Sequence, residues 1–71
     1  MTEENNTEEK MMEERYSAMN GMQSYGGSFA QALGKAIEKA DLKNLRKIYE
    51  NWPDEWSHYT KKWKEYNKND Q

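Results

Sequence analysis

In SFAQALGKAIEKADLKNLRKIYENWPDEW, from Ser28 to Trp56, apolar residues recur every three or four positions with no run of strict alternation. That period is the signature of helices with one buried side. Ser28 followed by Gln31 reads as a capping box, so a helix is predicted from Phe29 to about Ala40. Phe29, Leu33, Ala36, Ile37 and Ala40 share one face, while Lys35, Glu38 and Lys39 share the other. Gly34 in the middle costs about 1 kcal/mol relative to Ala, which points to close approach by a neighbouring element. Asp41 suits the N-cap of a next helix carrying Leu42, Leu45, Ile48, Tyr49 and Trp52 to about Glu50 or Asn51. Pro53 disfavours the α conformation at Trp52 and opens a further helix with Asp54 and Glu55 in its first turn.

Outward toward the C-terminus, that helix runs to about Tyr66 and aligns Trp56, Tyr59, Trp63 and Tyr66 in an aromatic stripe. Toward the N-terminus, Gly21, Gly26 and Gly27 around Tyr25 read as a loop. Ahead of it, Met12, Tyr16 and Met19 predict a helix from Glu8 to Asn20, ended by Gly21. Residues 1–7 and 67–71 hold too little apolar surface to offset the entropy of ordering and read as disordered tails. The expected fold is all-α, a small three- to four-helix bundle over residues 8–66 with its core in 28–66 and a mobile acidic N-terminal tail. The expected core is Phe29, Leu33, Ile37, Leu45, Ile48, Tyr49, Trp52, Trp56 and Trp63, with Gly27 a candidate for positive φ.

Composition narrows the function classes. At 71 residues the chain holds one domain, and a hydrophobic share of 34% leaves its nine aromatic rings to supply most of the core. Cys is absent and His58 is the single histidine, so neither a structural zinc site nor a thiol nucleophile can be assembled from the usual ligands. No catalytic set and no cofactor is expected. There is no stretch of about 20 apolar residues for a membrane span, and the N-terminus is acidic where a signal peptide is basic, so a cytoplasmic protein that does not act in the membrane is expected. Charge is polarised: residues 1–15 carry six Glu against Lys10 and Arg15, whereas residues 57–71 carry four Lys against Glu65 and Asp70.

Tyr25-Gly26-Gly27-Ser28-Phe29, Ala32-Leu33, Ala40-Asp41 and Trp52-Pro53-Asp54-Glu55-Trp56 together resemble small phage- and prophage-encoded proteins of unknown function. The resemblance covers about residues 25–63, implies a helical accessory protein in the host cytoplasm and carries over no catalytic residue.

Several constellations compete with plainer explanations. Glu8-Glu9 and Glu13-Glu14 lack the turn glycine of a calcium loop and read as a solvated acidic face. Gly26-Gly27 before a helix lacks the lysine and the preceding strand of a phosphate-binding loop. A helix-turn-helix with Lys43, Arg46 and Lys47 on its second helix lacks the usual glycine-containing turn. Two surfaces remain. Met11, Met12, Glu13, Glu14, Tyr16 and Met19 make an acidic, Met-bearing segment suited to a protein partner, or to the same helix of another copy. Lys61, Lys62, Trp63, Lys64 and Tyr66, with Lys68 beyond, make a basic aromatic helix suited to nucleic acid. The leading expectation is a non-enzymatic protein that binds a host or phage protein and occludes it, with nucleic-acid binding and a structural homo-oligomer as alternatives.

Overall fold

A computed structural model describes residues 3–67. The protein is a small all-α bundle of α1 (Glu3–Tyr25), α2 (Ser28–Lys39), α3 (Leu42–Asn51) and α4 (Pro53–Asn67), with no strand among the described residues. The turns fall where Gly26-Gly27, Ala40-Asp41 and Trp52-Pro53 mark them. Asp41 caps α3 as expected, its carboxylate accepting from the Asn44 N–H at 2.9 Å.

The N-terminal helix departs most from expectation. It starts at Glu3, taking in residues 3–7 that read as tail, because once a helix is nucleated each further residue adds a hydrogen bond. At the other end of the chain Asn67, also expected in a tail, closes α4 with its amide donating to the Trp63 carbonyl at 2.8 Å, and the remainder of the expected tails, residues 1–2 and 68–71, lies outside the described residues. At its other end α1 runs through Gly21 to Tyr25. Gly21 is the point where α1 meets α4: a Cβ there would collide with the Tyr59 carbonyl oxygen. Gly34 performs the same service for α2, where a Cβ would lie 2.7 Å from Gln23 Cγ and 3.1 Å from the Met19 carbonyl oxygen of α1. Two glycines inside helices thus let α1 lie against both α2 and α4, and α1 makes most of the interhelical contact.

The core follows from that arrangement. Met11, Ala18 and Met22 of α1 are buried with Ala30, Leu33 and Ile37 of α2, Leu45 and Ile48 of α3, and Trp56 of α4. Leu33, Ile37, Leu45, Ile48 and Trp56 were expected there. Phe29 and Trp52 were too, but both are exposed, paired with each other at 6.1 Å between ring centroids. Because α1 presses on Gly34, α2 turns its Ala30–Gly34 side inward and leaves Phe29 and Ala36 on its outer flank. Tyr49 and Trp63 are half-buried.

Polar groups on α1 close the structure. Arg15 donates from Nη2 to the carbonyls of Ile37 and Ala40, both at 2.9 Å, adding a second donor to the Ile37 carbonyl, which already accepts from the Ala40 N–H at 3.3 Å, and binding the Ala40 carbonyl past the C-terminal end of α2. Glu14 accepts from Trp56 Nε1 at 2.9 Å, so the most deeply buried indole keeps a partner for its N–H. Arg46 of α3 bridges Glu8 at 3.3 Å and Glu50 at 3.7 Å.

The capping box is not formed. Gly27 takes the N-cap position with φ −76° and ψ −167°, Ser28 is already helical, and no side chain caps α2. Gln31 does reach back, but its amide donates to the Gly26 carbonyl at 2.9 Å. No described residue has positive φ, so Gly27 is not there for a left-handed turn.

Candidate binding surface

Parallel packing of α1 and α4 sets the surface chemistry. Glu14 meets Trp56, Gly21 meets Tyr59, and Tyr25 meets Trp63 and Tyr66, so position along one helix advances with position along the other. Beside the Gly21 contact, rings from both helices gather. Tyr16 stands edge-on to Trp63 at 6.3 Å, Trp63 lies 6.3 Å from Tyr25, and Tyr25 stands edge-on to Tyr66 at 4.9 Å. Lys62 holds its ammonium 6.0 Å from the centre of the Tyr66 ring. Edge-to-face pairs contribute about 0.5–1.5 kcal/mol each beyond area burial, enough to restrict the rotamers of a chain of rings. Yet Tyr16 and Tyr66 remain 65% and 61% exposed. Exposed rings already held by one another have lost side-chain freedom before any partner arrives.

The two surfaces read from the sequence are partly merged and partly broken. Of the N-terminal set, Met11 is fully buried and cannot meet a partner, Met19 is partly buried against the core, and Glu14 is engaged by Trp56. The expected α1 face of Met12, Tyr16 and Met19 is therefore not the inward one; the inward face is Met11, Ala18 and Met22, and Met12, Glu13 and Tyr16 stay exposed. Of the C-terminal set, Lys62, Trp63 and Tyr66 join Tyr16 in the aromatic group. Lys64 turns to the other flank of α4, where it lines a groove with Ser57, His58, Thr60 and Glu14, and Lys61 lies between the two flanks, lining that groove and a second one with Lys62, Glu65 and Tyr66. Lys68 lies outside the described residues. Tyr25 was overlooked because it sits between glycines that read as loop; its place at the end of α1 follows only from the helix continuing through Gly21.

The groove has a volume of about 450 Å³ and is broadly open. An adjoining cleft of about 320 Å³ shares Glu14 and Ser57 with it and is walled by Lys10, Glu50 and Trp56 among others. Thr60 lines the groove, and its buried hydroxyl has no hydrogen-bond partner. Lysines and carboxylates mix along both walls, so the grooves present neither a basic track for phosphates nor an acidic cage. His58 is exposed, edge-on to Tyr59 at 4.7 Å. Among the described residues no group of three or more His, Cys, Asp and Glu is placed to hold a metal ion, and no helix is long and apolar enough to cross a membrane.

Set against protein-family models, curated proteins and solved structures, the chain matches none.

Proposed function

We propose that this protein is a non-catalytic binding module that engages a partner protein through the face formed by Tyr16, Tyr25, Trp63 and Tyr66, with Met12 and Lys62 at its edges. The observation that supports it is the run of four rings in successive contact, with Tyr16, Tyr25 and Tyr66 exposed and Trp63 half-buried between them. Tyr and Trp are the residues on which binding energy concentrates, because each offers a large rigid area for little conformational entropy. On the resemblance to phage-encoded proteins, the partner is a host or phage protein, a second copy of this chain included, and the module acts by covering a surface of it.

The route differs from an acidic segment steered onto a basic partner. Glu8 is paired with Arg46, Glu14 with Trp56, and Met11 is in the core, so among the residues whose side chains are described Glu9 and Glu13 are the carboxylates of α1 without an ion pair or hydrogen bond. Affinity then comes from the rings and charge acts at the rim.

A nucleic-acid reading draws on Lys62 over Tyr66 and on the exposed rings, since aromatics stack on bases. Against it, Lys64 lies on the other flank of α4 next to Glu14, and Glu65 sits with Lys61, Lys62 and Tyr66, so the lysines form no continuous basic track beside the rings. The test is capture with the wild type and with Tyr16→Ser/Tyr66→Ser, whose positions are too exposed to be needed for folding. A protein held by the wild type and lost by the variant is the expected result. A partner retained equally by both sinks this surface, and retention of labelled RNA or DNA that falls steeply with salt favours the second reading.

A further inference from the structure

We infer that the aromatic face is a self-association surface, occupied by a second copy of this chain related by a two-fold axis. The inference rests on reading that face as a protein-binding surface, and it names the occupant.

Charge layout is the first argument. Glu9 and Glu13 precede Tyr16 on the same side of α1, at i−7 and i−3, and neither has an ion-pair partner among the described residues. Lys62 lies toward the other end, over Tyr66, with Lys61 and Glu65 beside it, and it too has no ion-pair partner among the described residues. Because α1 and α4 run parallel, the face has an acidic end at Glu9 and Glu13, an aromatic middle at Tyr16 and Trp63, and an end where Lys61 and Lys62 outnumber Glu65. A two-fold axis through that middle sets Glu13 of each copy toward Lys62 of the other, twice over, with ring on ring between. A partner of uniform charge would be repelled at one end; a second copy is attracted at both.

Economy of the core is the second. Nine buried hydrophobic residues, three of them Ala or Met on α1 alone, serve a chain without cysteine. Domains of this size commonly add a disulfide, a metal or a second subunit, and here a second subunit has a face ready for it. The area sets the strength. With Tyr16 65%, Tyr66 61%, Met12 47% and Tyr25 36% exposed, these side chains offer roughly 400 Å² per copy, about half of what a stable interface buries on each side. The dimer is therefore weak and dissociates on dilution.

Sedimentation equilibrium on the full chain, from about 10 µM to about 1 mM, tests it. Average mass should climb from monomer to dimer across that range. Glu13→Lys and Lys62→Glu should each weaken the dimer about tenfold or more, since each sets like charges together at both ends. Mixing these two variants should restore dimer as a heterodimer, and the chain carrying both changes should restore it as a homodimer. A monomer throughout overturns the inference, as does a dimer indifferent to these charges and to Tyr16→Ser. If a wild type that stays monomeric still loses a captured partner on Tyr16→Ser/Tyr66→Ser, the binding face stands and only its occupant was wrong.

Discussion

Helices α1 and α2 bury their inner sides by different means. On α2, Ala30, Leu33 and Ile37 form an apolar stripe with Lys35, Glu38 and Lys39 opposite, and burial follows the stripe. On α1 the residues that meet the rest of the fold include Glu8, Met11, Glu14, Arg15, Ala18, Met19, Gly21, Met22 and Tyr25, of which only Met11, Ala18 and Met22 are hydrophobic and fully buried. That helix is nonetheless the hub of the bundle. It gains its place through two flexible thioethers, small residues that admit another backbone, and long polar side chains that reach specific acceptors and donors on α2 and α4. A helix can be central without being visibly amphipathic when its contacts are made by absence of side chain and by hydrogen bonds.

If this contrast is right, the largest effect comes from deleting residues 1–22. The remainder loses Met11, Ala18, Met22 and the Arg15 and Glu14 contacts, and thermal melting followed by circular dichroism should show no cooperative transition. A folded remnant would return the hub role to α2, α3 and α4. Next in size is a comparison of two tryptophans. Trp56→Ala should cost about 3–5 kcal/mol, because the ring is 2% exposed and its N–H is bonded to Glu14, whereas Trp52→Ala should cost only about 1 kcal/mol, the scale of its edge contact with Phe29. Urea denaturation of the two variants measures the gap, and equal losses would place the core elsewhere.

Arg15→Ala should destabilise by about 1.5–3 kcal/mol, since a charged donor to two carbonyls at the end of α2 is lost. Hydrogen exchange should localise that loss to residues near Ala40. Gly21→Ala should cost about 1–3 kcal/mol despite the better helix propensity of Ala, because the added methyl meets the Tyr59 backbone, which has no rotamer to give way. A gain in stability would show that α1 and α4 are not in close contact there. The smallest effect has the opposite sign. Gly27→Asp should stabilise by about 0.5–1 kcal/mol, because the position has open space, extended φ and ψ, and no capping side chain in use. A shift of melting temperature upward by a few degrees checks it.

The face proposed for binding was half visible beforehand. Tyr16 and the set Lys62, Trp63 and Tyr66 were singled out on two distant segments for two different partners, and it is the parallel contact of α1 with α4 that puts them on one surface. Lys61, Lys62 and Lys64 read as one run of lysines, but on a helix of 3.6 residues per turn their positions diverge, so Lys64 ends on the far flank and Lys61 between the two. Phe29 and Trp52 were misplaced for a related reason. Hydrophobicity says that a residue gains by burial, and it does not say which of two apolar flanks a neighbouring helix will cover.

What the sequence determined alone is local: the period of the apolar residues in α2 and α3, the Asp41 cap, the breaks at Gly26-Gly27, Ala40-Asp41 and Trp52-Pro53, and hence an all-α chain of short helices. These depend on backbone propensity and on contacts within a turn or two, which are written in adjacent residues. Only the tertiary structure decided that α1 continues through Gly21, that Arg15 and Glu14 serve α2 and α4, and that Tyr16, Tyr25, Trp63 and Tyr66 share a face. Each of those joins residues far apart in the chain, and their meeting is set by how closely two helix backbones can approach, a property of packing that no single segment contains.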